Sequence, residues 1–153
     1  MLLHDAGLSW LHFLFAFVIV GALSAELFML RAPVNAALVG RILRADAFYG
    51  IGAILLVAVG VARVLWGAKG WAFYSAEPFF WAKMVTFAGI GLISIAPTRA
   101  FLRWSKAAKA DAEFVAPAAE VKTARRWVMI EVHLVALLLL FAVLMARGVG
   151  QGG

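Results

Sequence analysis

Two ionisable residues interrupt stretches of this chain that are otherwise almost entirely apolar. His12 lies within LSWLHFLFAFVIVGALSAELFML, and Lys83 lies within FFWAKMVTFAGIGLISIA. An ionisable side chain inside a membrane-spanning helix is costly, so it usually faces the protein interior and often marks a functional site. Histidine can ligate a metal and lysine can bind an anion, so the pair indicates a binding site within a bilayer.

A third basic residue, Arg63, is expected at the same depth. At about 1.5 Å per residue, His12 and Lys83 each lie roughly one helical turn inside their stretches, and Arg63 approaches that level from the end of the second stretch. No acidic residue is expected in this layer. Basic groups without an internal counter-charge favour an anion or an electron-rich ligand, such as a carboxylate, a propionate or a phosphate.

A second group of polar residues is expected toward the other side of the membrane, and it comprises Glu26, Asp46, Glu131 and His133. Three interpretations are open for this layer: ion pairs that hold the inner ends of the helices together, a proton path, or a ligand site. The arginines within reach for ion pairing are Arg31, Arg41, Arg44 and Arg99.

Helical periodicity predicts which way these residues point. His12 and Glu26 are 14 residues apart, which leaves them only about 40° apart on one helix face. Glu131 and His133 are two residues apart and therefore point about 160° away from each other. One of them can face the bundle, and the other faces lipid or another subunit, so we predict a homo-oligomer, most simply a homodimer, formed through the fourth stretch.

The elements that position these residues are four apolar stretches. Of the 153 residues, 65% are hydrophobic and the mean hydropathy is +0.98, and a spanning helix needs about 20 largely apolar residues. We therefore predict one domain over residues 1–153, an all-α, integral membrane four-helix bundle. Its helices are expected at about 8–30, 45–66, 79–101 and 127–146, with the third continuing to about Ala110 and the fourth preceded by a turn at Pro117.

The distribution of basic residues predicts how the bundle is oriented. Ten lysines and arginines lie in or beside the first and third loops, against two in the second loop and the tail. This asymmetry places the first and third loops in the cytoplasm and both termini outside, in the periplasm of a bacterium. We therefore predict a multi-pass protein of the bacterial inner membrane, with the lipid bilayer and not nucleic acid as the partner of its basic loops.

The residue inventory excludes several kinds of chemistry. The chain has no cysteine, which removes disulfides, thiolate metal sites and iron–sulfur clusters. It has no G-x-S-x-G or H-E-x-x-H motif, so nothing indicates hydrolysis. A haem held by His12 and His133 of one chain is disfavoured, because their depths differ by on the order of 10 Å. A haem ligated by His12, with Lys83 or an open position opposite, stays open.

Three segments resemble a family of small bacterial four-helix membrane proteins of unknown function: LHFLFAFVIVGALSAELFMLR, FYGIGAILLVAVGVARV, and KGWAFYSAEPFFWAKMVTFAGIGLISIAPTRAFLRW. More distantly, the layout is similar to the HemJ-type protoporphyrinogen oxidases and the CopD-like copper-resistance membrane proteins. In the HemJ type, an early histidine and a later lysine form the functional pair and haem b is bound. His12 matches the first position and Lys83 the second. The run VIVGALSAE after His12 differs from the tryptophan–phenylalanine–alanine–glycine run of the HemJ type.

The resemblance implies a haem b-binding membrane protein with a redox or electron-transfer role. His12 would be the metal ligand, and Lys83 and Arg63 would face the ligand or its propionates. An oxidoreductase activity, and a quinone or another electron-transfer partner, are left open. The alternatives are a small anion- or solute-binding transport protein that uses the same cationic layer, and an accessory structural membrane protein.

Overall fold

The computed structural model describes residues 2–149, and within that range the chain forms five helices and no strand. They are α1 (Leu2–Met29), α2 (Ala36–Trp66), α3 (Gly70–Ala76), α4 (Pro78–Ala110) and α5 (Ala118–Ala146). Four of them, all except α3, are long and apolar enough to cross a membrane. The predicted all-α membrane bundle is therefore confirmed. The chain ends, Met1 and residues 150–153, lie outside the described range, and their outward orientation stays a prediction.

The four long helices form a ring in which each packs against two others. The most extensive contacts join α1 to α2 and α4 to α5, and contacts of α2 with α4 and of α1 with α5 close the ring. The buried core runs through the middle of this ring, where Leu23, Phe101 and Val128 are almost completely inaccessible. Most large apolar side chains outside this core are exposed, as expected for surfaces that contact lipid.

Helix α2 begins at Ala36, well before the predicted start at about residue 45. The Asn35 side chain accepts a hydrogen bond from the Leu38 amide at 3.0 Å and so caps the helix. In the first turns, Val39 and Ile42 are buried while the arginines are exposed. The segment is amphipathic, so the helix continues past the point where the apolar window ends.

Helices α4 and α5 also extend beyond the apolar stretches at the end that carries the basic loops. Helix α4 ends at Ala110, as predicted, whereas α5 begins at Ala118, directly after Pro117 and about nine residues before its apolar window. The Ala116 amide donates to the Val34 carbonyl at 2.9 Å. This bond joins the α4–α5 loop to the α1–α2 loop, so the two basic loops lie at the same end of the bundle.

The opposite end is closed by α3, a short helix in a segment that the sequence predicts as a loop. Asp5 accepts a hydrogen bond from the Ala68 amide at 3.2 Å, which ties the start of α1 to the connection between α2 and α3. The Trp81 indole donates to the Ser75 carbonyl at 3.0 Å, which ties α3 to α4. These contacts hold α3 across this end, called the outer end below.

We predict that Gly67→Ala destabilises the protein, because the end of α2 leaves no room for a methyl group at this position. A Cβ at Gly67 would clash with the Arg63 carbonyl oxygen and would lie 3.2 Å from the Asp5 carboxylate. The clash involves backbone, so the last turn of α2 has to shift, at a cost of more than about 1 kcal/mol. Thermal unfolding in detergent measures this loss.

Gly50→Ala is the matched control, since a Cβ there meets nothing within 4 Å. A Gly67→Ala protein that unfolds at the same temperature as Gly50→Ala would contradict the close approach of Gly67 to the Arg63 backbone.

Candidate functional site

A cavity of about 280 Å³ lies inside the outer end of the bundle, beneath α3. All five helices contribute to its wall. The polar side chains facing it are His12 from α1, Arg63 from α2 and Lys83 from α4, and the rest of the wall is mostly aliphatic and aromatic. Its volume is near the lower limit for small-molecule pockets, about 300–1,000 Å³. The cavity is partly open, so this volume is not an upper limit on the size of a ligand.

The His12 side chain is half-buried and packs against α2 where that helix carries a glycine. A Cβ at Gly60 would lie 3.5 Å from Cε1 and 3.8 Å from Nδ1 of the imidazole. The absence of a side chain at Gly60 therefore provides the room that the ring occupies. The Leu56 backbone also lies beside the ring, but the buried Nδ1 atom has no hydrogen-bond partner among the described residues.

Arg63 and Lys83 both line this pocket. Both are half-buried, and the buried Nε of Arg63 has no hydrogen-bond partner among the described residues. The lining of the cavity, as far as residues 2–149 form it, includes no acidic residue. The structure thus brings together the three residues that the sequence assigned to one layer. Two cations and an unpartnered histidine nitrogen in an apolar cavity favour a ligand that has an apolar body and an anionic or electron-rich group.

Aromatic residues of α3 and the start of α4 complete the pocket, and the sequence did not identify them as site residues. Trp71, Tyr74 and Phe80 line it, and the rings of Tyr74 and Phe80 lie 5.4 Å apart. Tyr74 is buried, whereas Trp71 is 54% exposed at the outer edge. Met84 and Met145 also contribute to the lining. The aromatic-rich connection before Pro78 could have indicated these residues. However, aromatic residues at the membrane–water interface are also typical of membrane anchoring.

The second polar layer forms a separate cluster in the half of the bundle near the basic loops. Glu26 from α1, Asp46 from α2 and Glu131 from α5 lie close enough for their charges to interact. Glu26 and Glu131 are each 1% exposed, and one carboxylate oxygen of each is buried with no hydrogen-bond partner among the described residues. We call these three residues the carboxyl cluster.

Polar side chains of α2 and α4 border the carboxyl cluster. Thr98 donates a hydrogen bond to the Asp46 carboxylate at 2.7 Å. The Tyr49 side chain, also buried, lies beside Glu131 and Ser94. All four long helices thus contribute a polar group to this region.

The arginines proposed as ion-pair partners do not reach the carboxyl cluster. Arg31, Arg41, Arg44 and Arg99 are all exposed. Arg103 and Glu120 form an ion pair at 2.6 Å, about three helical turns from Glu131 on α5. The interpretation of the second layer as a set of structural ion pairs is therefore not supported.

His133 also stays apart from the other members of its predicted layer. Its side chain is exposed, and its Nδ1 lies 2.7 Å from the Met129 carbonyl oxygen on the same helix. Glu131 faces the bundle and His133 faces outward, as their spacing of two residues requires.

The described residues do not form a metal site by themselves. No group of three or more histidine, aspartate or glutamate side chains within residues 2–149 is arranged to hold a metal ion. His12 could therefore serve as a metal ligand only where a cofactor brings most of the ligands itself, as a porphyrin does.

Four long apolar helices around two buried polar sites define a multi-pass helical membrane protein. Residues 4–150 match the model of a family described as a predicted membrane protein (DUF2214), and the chain belongs to this family. This confirms the resemblance to a membrane protein family of unknown function. No curated protein and no solved structure matches the chain significantly.

Proposed function

We propose that this protein binds haem b in the outer pocket and has a redox or electron-transfer role. The observation that carries the proposal is the juxtaposition of His12, Arg63 and Lys83 in one apolar cavity to which the described residues bring no acidic group. When bound, haem iron supplies reversible one-electron transfer.

The residues of the pocket fit such a group. A neutral imidazole is a common axial ligand of haem iron, and the buried Nδ1 of His12 has no other partner among the described residues. The aliphatic and aromatic walls suit a porphyrin face, since the macrocycle is apolar. Lys83 and Arg63 would bind the propionates, and their positive charge beside the iron would favour its reduced state.

The orientation in the membrane and the assembly are part of the same proposal. The pocket would face the periplasmic side of a bacterial inner membrane, since the basic loops lie at the other end of the bundle. A homodimer through α5 is supported by His133, an exposed polar side chain within residues 127–146, where the outward-facing side chains of this helix are otherwise apolar.

An absorption spectrum of the protein purified in detergent from haem-replete cells tests the proposal. We expect a Soret band that scales with protein concentration, and visible bands that sharpen on reduction with dithionite. A colourless protein from cells that load other membrane haem proteins would overturn the haem assignment.

The second candidate function is binding or transport of a small anion that has an apolar body. The cavity volume of about 280 Å³ favours it, since this space suits a ligand smaller than a porphyrin. The same purified sample distinguishes the two. A colourless protein whose unfolding temperature rises with an added aromatic carboxylate would support the second candidate, and Lys83→Met should abolish that rise.

A further inference from the structure

Neither function proposed for the outer pocket gives a role to the carboxyl cluster. Three carboxyl groups from three helices lie close enough inside the bundle for their charges to interact. Two of them, Glu26 and Glu131, are 1% exposed, and each has a buried oxygen without a partner in the described part of the chain. A bilayer offers no water to solvate a carboxylate, so the negative charge has to be offset by something bound at the cluster.

The described part of the protein does not provide the positive charge. The titratable and charged groups that face the cluster are Glu26 on α1, Asp46 and Tyr49 on α2, and Glu131 on α5. Helix α4 contributes the hydroxyl groups of Ser94 and Thr98. None of these groups, which come from all four long helices, is a lysine, an arginine or a histidine.

The arrangement favours a proton over a metal ion as the bound cation. The side chains of residues 2–149 include no group of three or more arranged to hold a metal ion. Metal cations such as Ca²⁺ need about six to eight oxygen ligands, whereas a proton needs one carboxyl oxygen and a hydrogen-bond acceptor. Neighbouring hydroxyl and carboxyl groups, such as those of Thr98 and Asp46, offer both.

A second cavity lies beside the hydroxyl groups that border the cluster. This cavity, of about 140 Å³, is lined by Tyr49 and Ser94 at its polar end. It shares the lining residues Leu56, Phe87 and Leu138 with the outer pocket. Tyr49, which borders the carboxyl cluster, therefore lines a cavity whose wall adjoins the outer pocket.

We propose that the carboxyl cluster of Glu26, Asp46 and Glu131 is a proton-binding site within the membrane, which holds at least one exchangeable proton at neutral pH. This proposal does not depend on haem. Protonated carboxyl groups in membrane helices are the usual elements of proton relays, so the protein would take up and release protons in addition to binding a ligand.

Infrared spectroscopy of the full-length protein in lipid vesicles tests the proposal. A protonated carboxyl group has a carbonyl stretching band that is separate from the carboxylate bands and shifts in D₂O. We expect this band in the wild-type protein at neutral pH. Its intensity should fall in both Glu26→Gln and Glu131→Gln, which keep the shape of the side chain but cannot bind a dissociable proton.

Two control variants separate the cluster from the other acidic residues. Glu113→Gln changes an exposed carboxyl in the α4–α5 loop, and Glu77→Gln changes the buried glutamate at the outer end. Neither should remove the part of the band that the cluster variants remove. A wild-type spectrum without the acid band, or a band that survives both cluster substitutions, would overturn the proposal.

A labelling experiment on the wild-type protein keeps the test independent of whether the variants fold. Dicyclohexylcarbodiimide reacts with protonated carboxyl groups in apolar surroundings, and mass spectrometry locates the adduct. We expect the label on Glu26 or Glu131. Labelling confined to other acidic residues contradicts the proposal, and protection of the cluster by added Na⁺ or Ca²⁺ would replace it with a metal-cation site. Neither the infrared nor the labelling experiment requires bound haem. A negative result in them would therefore contradict the proton-binding proposal without contradicting the haem proposal.

Discussion

His12→Ala should abolish the haem absorption of the purified protein, while His133→Ala should leave it unchanged. Within the described residues, His12 is the histidine that lines the outer pocket, and its buried Nδ1 has no competing partner. His133 is exposed and already contacts the Met129 carbonyl. Loss of the axial ligand removes the bond to iron, so the Soret band should fall to background at equal protein concentration.

Rescue by free imidazole distinguishes loss of a ligand from loss of the fold. The ring of His12 occupies a space beside Gly60 that alanine leaves vacant, so added imidazole should enter it and restore the absorption of His12→Ala. If His12→Ala keeps a wild-type spectrum, or if His133→Ala loses it, the iron is bound elsewhere and the assignment of His12 is wrong.

The fold could be predicted from the sequence because the lipid bilayer requires long apolar stretches, and these are visible in the sequence. An apolar stretch of about 20 residues forms a helix in a bilayer, because a helix satisfies its backbone hydrogen bonds within the segment. The ends of the helices were predicted less well. Helix α2 starts at Ala36 because Asn35 caps it and because Val39 and Ile42 continue its buried face. The apolar stretch of α2 is bounded by Arg41 and Arg44, whereas the helix itself continues past both arginines to Ala36.

The depth of each polar residue could be predicted, but not which side chains meet. Counting residues gave the common level of His12, Arg63 and Lys83, and the structure places all three at one cavity. For the second layer, the same counting could not decide between pairing with arginines and clustering of acids. That choice depends on how the helices rotate about their axes, and the structure leaves the arginines outside and the acids inside.

The helix that covers the outer pocket could not be predicted from the sequence. Seven residues in the second connection form α3, and its aromatic rings cover the cavity. A helix this short has little stability by itself. It is held by contacts such as the hydrogen bond from Trp81 to Ser75, which join residues whose proximity no local pattern reveals.

Replacing the buried Glu26 by methionine should make the protein more stable. Methionine has a similar length and flexibility, and it is apolar. Glu26 leaves a buried oxygen without a hydrogen-bond partner among residues 2–149, and such a group costs about 1–3 kcal/mol. We therefore expect Glu26→Met to raise the free energy of unfolding by about 1–3 kcal/mol, measured by denaturant titration in mixed detergent micelles.

Glu120→Met is the matched control and should have the opposite sign. The Glu120 carboxylate accepts hydrogen bonds from the Trp104 indole at 2.8 Å and from Arg103 at 2.6 Å. Its removal leaves the indole of Trp104, a residue only 2% exposed, without this acceptor, so the protein should become less stable.

The sign of the Glu26→Met effect separates two roles for the carboxyl cluster. A structural cluster would hold α1, α2 and α5 together, and removal of one member would then lower stability. A cluster that binds protons is costly to the fold and is retained for its function, so its removal stabilises the bundle while the acid band in the infrared spectrum declines. Destabilisation by Glu26→Met as large as that by Glu120→Met would show that the carboxyl group supports the fold.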